Sequence, residues 1–198
     1  SKNNAASIET AGTALNLYPY DSETLLVAAE TASVAGLSVN GMTALELAEK
    51  VLEKDSENVQ AMEILLDEYI KKSDYAKAYS LSSRLIQIPS VQKTSLFRHI
   101  DICLALKKNT EAMNLALKDY EKNPADENSC MAYVKVLSAS GQKNSAMQLI
   151  SSLLPCASQK MKSFLYFERS QIQGTEDSVL ADLRASLTAN PRNKDSLY

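Results

Sequence analysis

The chain has 198 residues, 45% hydrophobic and 23% charged, and its 24 acids against 21 bases leave a formal net charge of −3. That composition fits an ordinary globular chain and excludes a disordered tail or a collagen-like rod. A sequence pI near 5.3 speaks against a general nucleic-acid binder, which needs a basic stripe to displace counterions from phosphates.

Taken from its start, the chain opens Ser1-Lys2-Asn3-Asn4, without an initiating Met or the charged-then-apolar layout of a secretion signal, so the end reads as processed or cut. The first predicted element is a helix over Ser7–Tyr18, closed by Pro19. A helix pair starting near Ser22 follows, interrupted by an insert at Gly36–Gly41, after which Thr43-x2-Glu46 has the capping-box spacing that restarts a helix. Further pairs are predicted to start near Val59, Lys93, Glu127 and about Lys160, and Lys194–Tyr198 would begin one more first helix. Within these segments apolar residues stand three and four apart, as in Met62, Leu65, Leu66 and Tyr69, and no run alternates as a half-buried strand would. Pro19, Pro89, Pro124, Pro155 and Pro191 each separate two such segments, where a missing donor and a clash with the previous turn end a helix. The prediction is an all-α chain of about eleven helices. No stretch approaches the ~20 consecutive apolar residues of a membrane span.

The segments repeat. Ala44, Ala78, Ala112 and Ala146 stand at successive steps of 34, and junction marks fall at 19, 56, 90, 124, 158 and 191, spaced 37, 34, 34, 34 and 33. The insert accounts for the longer step. The predicted units run near 22–58, 59–92, 93–126, 127–159 and 160–193, preceded by a lone second helix over 7–19 and followed by the start of a further helix over 194–198. Both ends fall inside a unit, which predicts a segment of a longer array or one with atypical end caps.

A 34-residue unit of two antiparallel helices resembles the tetratricopeptide repeat. Asp74-Tyr75-x2-Ala78 resembles that family's turn into its second helix, and Asn123-Pro124-Ala125-Asp126 and Ala14-Leu15-Asn16-Leu17-Tyr18-Pro19 resemble its closing segment. The family's early Trp is absent, and its small residue at position eight of the first helix is Ala29 once but Leu66, Ile100 and Val134 elsewhere, implying a slightly wider helix pair. The resemblance implies a right-handed α-solenoid of antiparallel helix pairs, one array over 1–198. Helices this short are marginal alone, and each pair leaves an apolar face for the next pair to cover. The recurring alanines let the two axes of a pair approach.

Signatures of catalysis are missing: no Gly-x4-Gly-Lys loop, GxGxxG, GxSxG or HExxH occurs. Ser90-Val91-Gln92-Lys93 matches Ser-x-x-Lys but lies across a unit junction and reads as a turn. His99 and Cys103 stand four apart with Cys130 in the next unit, yet all three occupy positions where the repeat buries apolar side chains, so they read as core rather than metal ligands. Three cysteines without CxxC spacing argue against a disulfide framework and favour a reducing, cytoplasmic compartment while leaving a periplasmic one open. Neither an enzyme nor a cofactor or metal is expected.

By the same resemblance, first helices line a concave groove with a 3-4-3 stripe. In this chain the stripe yields the candidate binding residues Leu26, Glu30, Glu63, Asp67, Lys71, Phe97, Asp101, Met131 and Lys135, with Val34 and Gln60 beside them. In the fifth pair the register is open by one residue, so Lys162 and Arg169 are in the groove in one reading and out of it in the other. The acids Glu30, Glu63, Asp67 and Asp101, interspersed with Leu26, Phe97 and Met131, favour a protein or peptide partner that is basic and partly apolar. The expected function is a non-catalytic protein–protein interaction scaffold or adaptor. The alternative is a structural segment of a larger multi-domain protein that self-associates through uncapped ends. An RNA-binding pentatricopeptide-like array is disfavoured by the period of 34 and the acidic balance.

Overall fold

Short polar residues start the helices. Asp21, Asn58, Asp74 and Asp126 accept hydrogen bonds from the backbone N–H groups of Thr24, Ala61, Lys77, and Asn128 with Ser129, donors that a first helical turn leaves open. Thr43 and Glu46 form the capping box in full. The structure, a computed structural model, describes residues 2–172 and 174–197. Its helices are α1 Lys2–Leu17, α2 Ser22–Ala35, α3 Ala44–Lys54, α4 Val59–Lys71, α5 Tyr75–Leu85, α6 Gln92–Ala105, α7 Asn109–Lys122, α8 Glu127–Ala139, α9 Lys143–Leu153, α10 Gln159–Ile172 and α11 Glu176–Ala189. No strand occurs among the described residues, and all five prolines lie outside the helices. The chain is an all-α repeat protein. Two boundaries differ from expectation. Helix α1 begins at Lys2, not Ser7, since Ala5 and Ala6 are strong helix formers. At the other end Lys194–Ser196 is a single 3-10 turn capped by Asn193, not the first turn of an α-helix, and Tyr198 lies outside the described residues.

The turn inside four of the helix pairs repeats as well. A left-handed residue stands at Gly36, Ser73, Lys107 and Gly141, with φ of 66°, 57°, 58° and 76°. The following residue donates its N–H to a carbonyl five positions back: Leu37 to Ala32, Asp74 to Tyr69, Lys108 to Cys103 and Gln142 to Leu137, at 2.8 to 3.2 Å. This is the closure of a Schellman-type helix end. Only two of the four are glycines, so the turn is imposed by helix packing at Ser73 and Lys107 despite the cost of a side chain in that conformation.

By contacts the chain divides into two compact units, Ser1–Ile102 and Cys103–Tyr198. In the first, α2 packs on α1 and α3, α4 packs on α2 and α3, and α5 packs on α4. Its fully buried side chains include Leu25, Leu47, Met62, Leu66 and Leu85, with Ala44 and Ala78 buried among them. The insert belongs to this unit. Val39 and Met42 exchange backbone hydrogen bonds of 2.9 and 3.0 Å around Asn40-Gly41, both at positive φ, the arrangement of a tight hairpin turn. From that turn the Asn40 side-chain amide donates to the Gly12 carbonyl and to Asn16 Oδ1, each at 2.9 Å, and so ties the insert to α1.

In the second unit α8 packs on α7, α9 and α10, and α10 packs on α9 and α11. Cys130, Val134, Ile150, Met161 and Leu165 form its apolar core, flanked by Tyr120, which stacks on Tyr133 at 5.1 Å between ring centroids. Ala112, Ala116 and Ala146 are fully buried. The last pair buries several polar side chains, Ser163, Asp182 and Ser186 among them. Ser186 Oγ donates to the Ser163 carbonyl at 2.7 Å, and the Asn193 amide reaches both serine hydroxyls at 2.9 Å. Every polar group brought inside there has a partner, as burial requires.

Candidate functional site

Within the first unit, helices α2, α4 and α6 present one continuous set of polar contacts. Glu30 Oε1 on α2 accepts from the Gln60 amide on α4 at 2.5 Å. One end of the same helix pair is clasped by three groups. Ser33 Oγ donates to Glu68 Oε1 at 2.8 Å, and Lys71 Nζ donates to Glu68 Oε1 at 2.7 Å, to Ser33 Oγ at 2.8 Å and to the Ser33 carbonyl at 3.0 Å. Burial alone would push the Glu68 carboxyl up, but hydrogen bonds from Lys71 and Ser33 and the charge of Lys71 hold it below the ordinary carboxylate value. Between α4 and α6, the Arg98 guanidinium pairs with Asp67. Polar side chains thus link α2 to α4 and α4 to α6 within this unit.

The predicted residues fare differently. Leu26 is 9% exposed and belongs to the buried core, on a helix that packs against α1, α3 and α4; it does not face outward as expected. Glu30, Asp67 and Asp101 are exposed, Glu63 and Phe97 half-buried. Of the acids, Glu63 has no hydrogen-bonding or ionic partner among the described residues. Lys71 is committed to its clasp with Ser33 and Glu68. Met131 and Lys135 lie on α8 in the second unit, both half-buried, Met131 against the Cys130–Leu165 core. Arg169 turns toward α11, its Nε and Nη2 donating to Asp182 Oδ2 and Oδ1 at 2.8 and 2.5 Å, with Tyr166 under the guanidinium at 5.2 Å. The bidentate pair, above all its hydrogen bonds, raises the Arg169 pKa further.

Ser33, Glu68 and Arg98 are the site residues that sequence reading missed. Glu68 and Lys71 have the helical i,i+3 spacing of an ion pair, and Asp67 and Arg98 are opposite charges about one repeat apart, so a search for charge pairs near the period would have raised both. His99 is buried in the first unit, its Nδ1 2.8 Å from Ser82 Oγ and its ring 5.1 Å from that of Tyr79. In the second unit burial pushes the Cys103 thiol up to about 11 and raises that of Cys130. Such thiols stay protonated at neutral pH and are poor nucleophiles.

No protein-family model matches the sequence, and a search of curated proteins returns no match. Solved structures do match. The chain is similar to YrrB, a TPR protein described as having an unusual peptide-binding site, at a TM-score of 0.63 and 15% identity over 96% of this chain and 97% of that one. It is also similar to a tetratricopeptide repeat protein from Parabacteroides merdae, at a TM-score of 0.73 and 14% identity over 99% of this chain and 76% of that one. With eleven α-helices and no strand among the described residues, and a left-handed turn that recurs with the period, this chain has the tetratricopeptide-repeat fold.

Proposed function

We propose that the chain is a non-catalytic scaffold that holds a protein or peptide segment against the outward faces of its first helices. The observation that carries this reading is the laced α2–α4–α6 face: Glu30–Gln60, Ser33–Glu68–Lys71 and Asp67–Arg98 hold three helices in register before any ligand arrives. A surface fixed in advance loses little entropy on binding. Its likeness in fold to YrrB, a protein with a peptide-binding site, supports the same reading. The buried, protonated thiols of Cys103 and Cys130 offer no activated nucleophile.

The ligand chemistry follows from what the lacing leaves over. Asp67 spends its charge on Arg98, so the negative field comes chiefly from Glu30 and Glu63, with Phe97 as the apolar contact. A segment carrying Lys or Arg next to an apolar side chain fits that surface. Peptide-display selection on the immobilised chain tests it, followed by fluorescence anisotropy of a selected peptide with wild type and Glu63→Lys. Enrichment of basic-apolar peptides, bound about tenfold more weakly by the variant, is the expected result. Failure to select any peptide, or equal binding by Glu63→Lys, would refute the proposal.

A further inference from the structure

A second surface lies on the other flank of α2. Between α1 and α2 runs a shallow groove with two hollows, one of about 270 Å³ reaching Ser7, Thr31 and Val34, the other of about 160 Å³ reaching Ala11, Ala14 and Val27. On the α1 side the groove is floored by small residues, over which another helix axis can come close. On the α2 side Val27 and Val34 stand two helical turns apart on one stripe, 51% and 85% exposed. Large aliphatic side chains that open to water, lined up along a groove, mark an interaction surface better than the same residues scattered singly.

The molecule shows how a groove of this kind is filled. One pair further along, α2 and α3 are likewise consecutive, and α4 seats against both, burying Met62, Leu65 and Leu66. No described residue seats on α1 and α2 in the equivalent way. Charge narrows the occupant. Asp21, Glu23 and Glu30 line the hollows, and no Lys or Arg is among the described residues that do; the hydrogen-bond partner of Glu30 is the neutral Gln60 amide. We propose that this groove receives one amphipathic helix of a partner protein, seated as α4 is on α2 and α3, its apolar stripe on Val27 and Val34 and its Lys or Arg residues beside Glu23 and Glu30. This surface meets the laced face at Glu30 but does not depend on the function proposed for that face, whose test residue, Glu63, lies on α4 and lines neither hollow.

The test uses the full chain and a fluorescein-labelled helical peptide of about 16 residues with leucines at helical spacing and flanking lysines, beside a control peptide with every leucine replaced by serine. Anisotropy is read for wild type, for Val27→Glu/Val34→Glu and for Glu63→Lys, with circular dichroism confirming unchanged helix content, as expected for exposed positions. The proposal expects binding of the leucine peptide alone, weakened at least about tenfold by the valine double variant and under about twofold by Glu63→Lys. It is overturned by no binding, by equal binding of the serine control, by indifference to the valine variant, or by loss in Glu63→Lys, which would place the peptide on the laced face. Light scattering covers the rival occupant: a wild-type dimer that the valine variant makes monomeric would assign the groove to a second copy of this chain and overturn the partner helix.

Discussion

Replacing Gly12 by Ala tests whether the insert hairpin truly docks on α1. Taken alone, the change favours the folded state, since Ala in a helix interior is better than Gly by about 1 kcal/mol. The structure opposes it. A Cβ on Gly12 would sit 2.6 Å from Asn40 Oδ1 and 3.4 Å from its Cγ, so the Asn40 amide must shift away from α1. That shift pulls its Nδ2 off the Gly12 carbonyl and Asn16 Oδ1, two hydrogen bonds contributing about 0.5–1.5 kcal/mol net each. The turn cannot easily follow, because Asn40 and Gly41 hold left-handed backbone angles between the paired Val39 and Met42. The two effects set a net loss of about 1 kcal/mol in the native background. In an Asn40→Gly background, where the left-handed turn survives without the side chain, Gly12→Ala should stabilise by about 0.5–1 kcal/mol. Urea unfolding followed by circular dichroism on the four members of this cycle measures the coupling directly. If Gly12→Ala has the same effect in both backgrounds, or stabilises the native one, the contact between insert and α1 is not as described.

Other consequences concern pairs and turns. Asp182→Ala leaves the Arg169 guanidinium, partly buried under α11, without its bidentate partner and should cost about 2–3 kcal/mol; hydrogen exchange should place the loss in α10 and α11, and a change under about 0.5 kcal/mol would contradict the pairing. Lys107→Gly and Ser73→Gly relieve left-handed strain and should each stabilise by about 0.5–1 kcal/mol, whereas Gly141→Ala at the equivalent turn should destabilise; thermal unfolding with the signs reversed would deny the shared geometry. Because the folded-state pKa of Glu68 is depressed from the ordinary 4.5, its contribution is present above that value and is lost as pH falls through the lower folded one. Stability of Glu68→Gln between about pH 5 and pH 3 should therefore fall less steeply than that of wild type, and parallel curves would show that the Ser33–Glu68–Lys71 clasp is not formed.

Helices, junctions and the period were legible in the order of residues, and for a local reason. A 3.6-residue apolar spacing, a proline and a capping Asp or Asn act within a turn or two of where they stand, so α2, α4 and α8 begin where the reading set them. The alanines at 78, 112 and 146 are each fully buried near the start of α5, α7 and α9, because a constant period carries one steric solution from pair to pair. What the surface carries was not settled locally. Whether Leu26 faces water or the core depends on how the neighbouring helices cover α2; whether Asp67 offers its charge to a ligand depends on Arg98, one helix pair away; and the Arg169 guanidinium is engaged by Asp182 on the next helix. Those outcomes are set by distances between side chains far apart in sequence, and only the packed structure contains them.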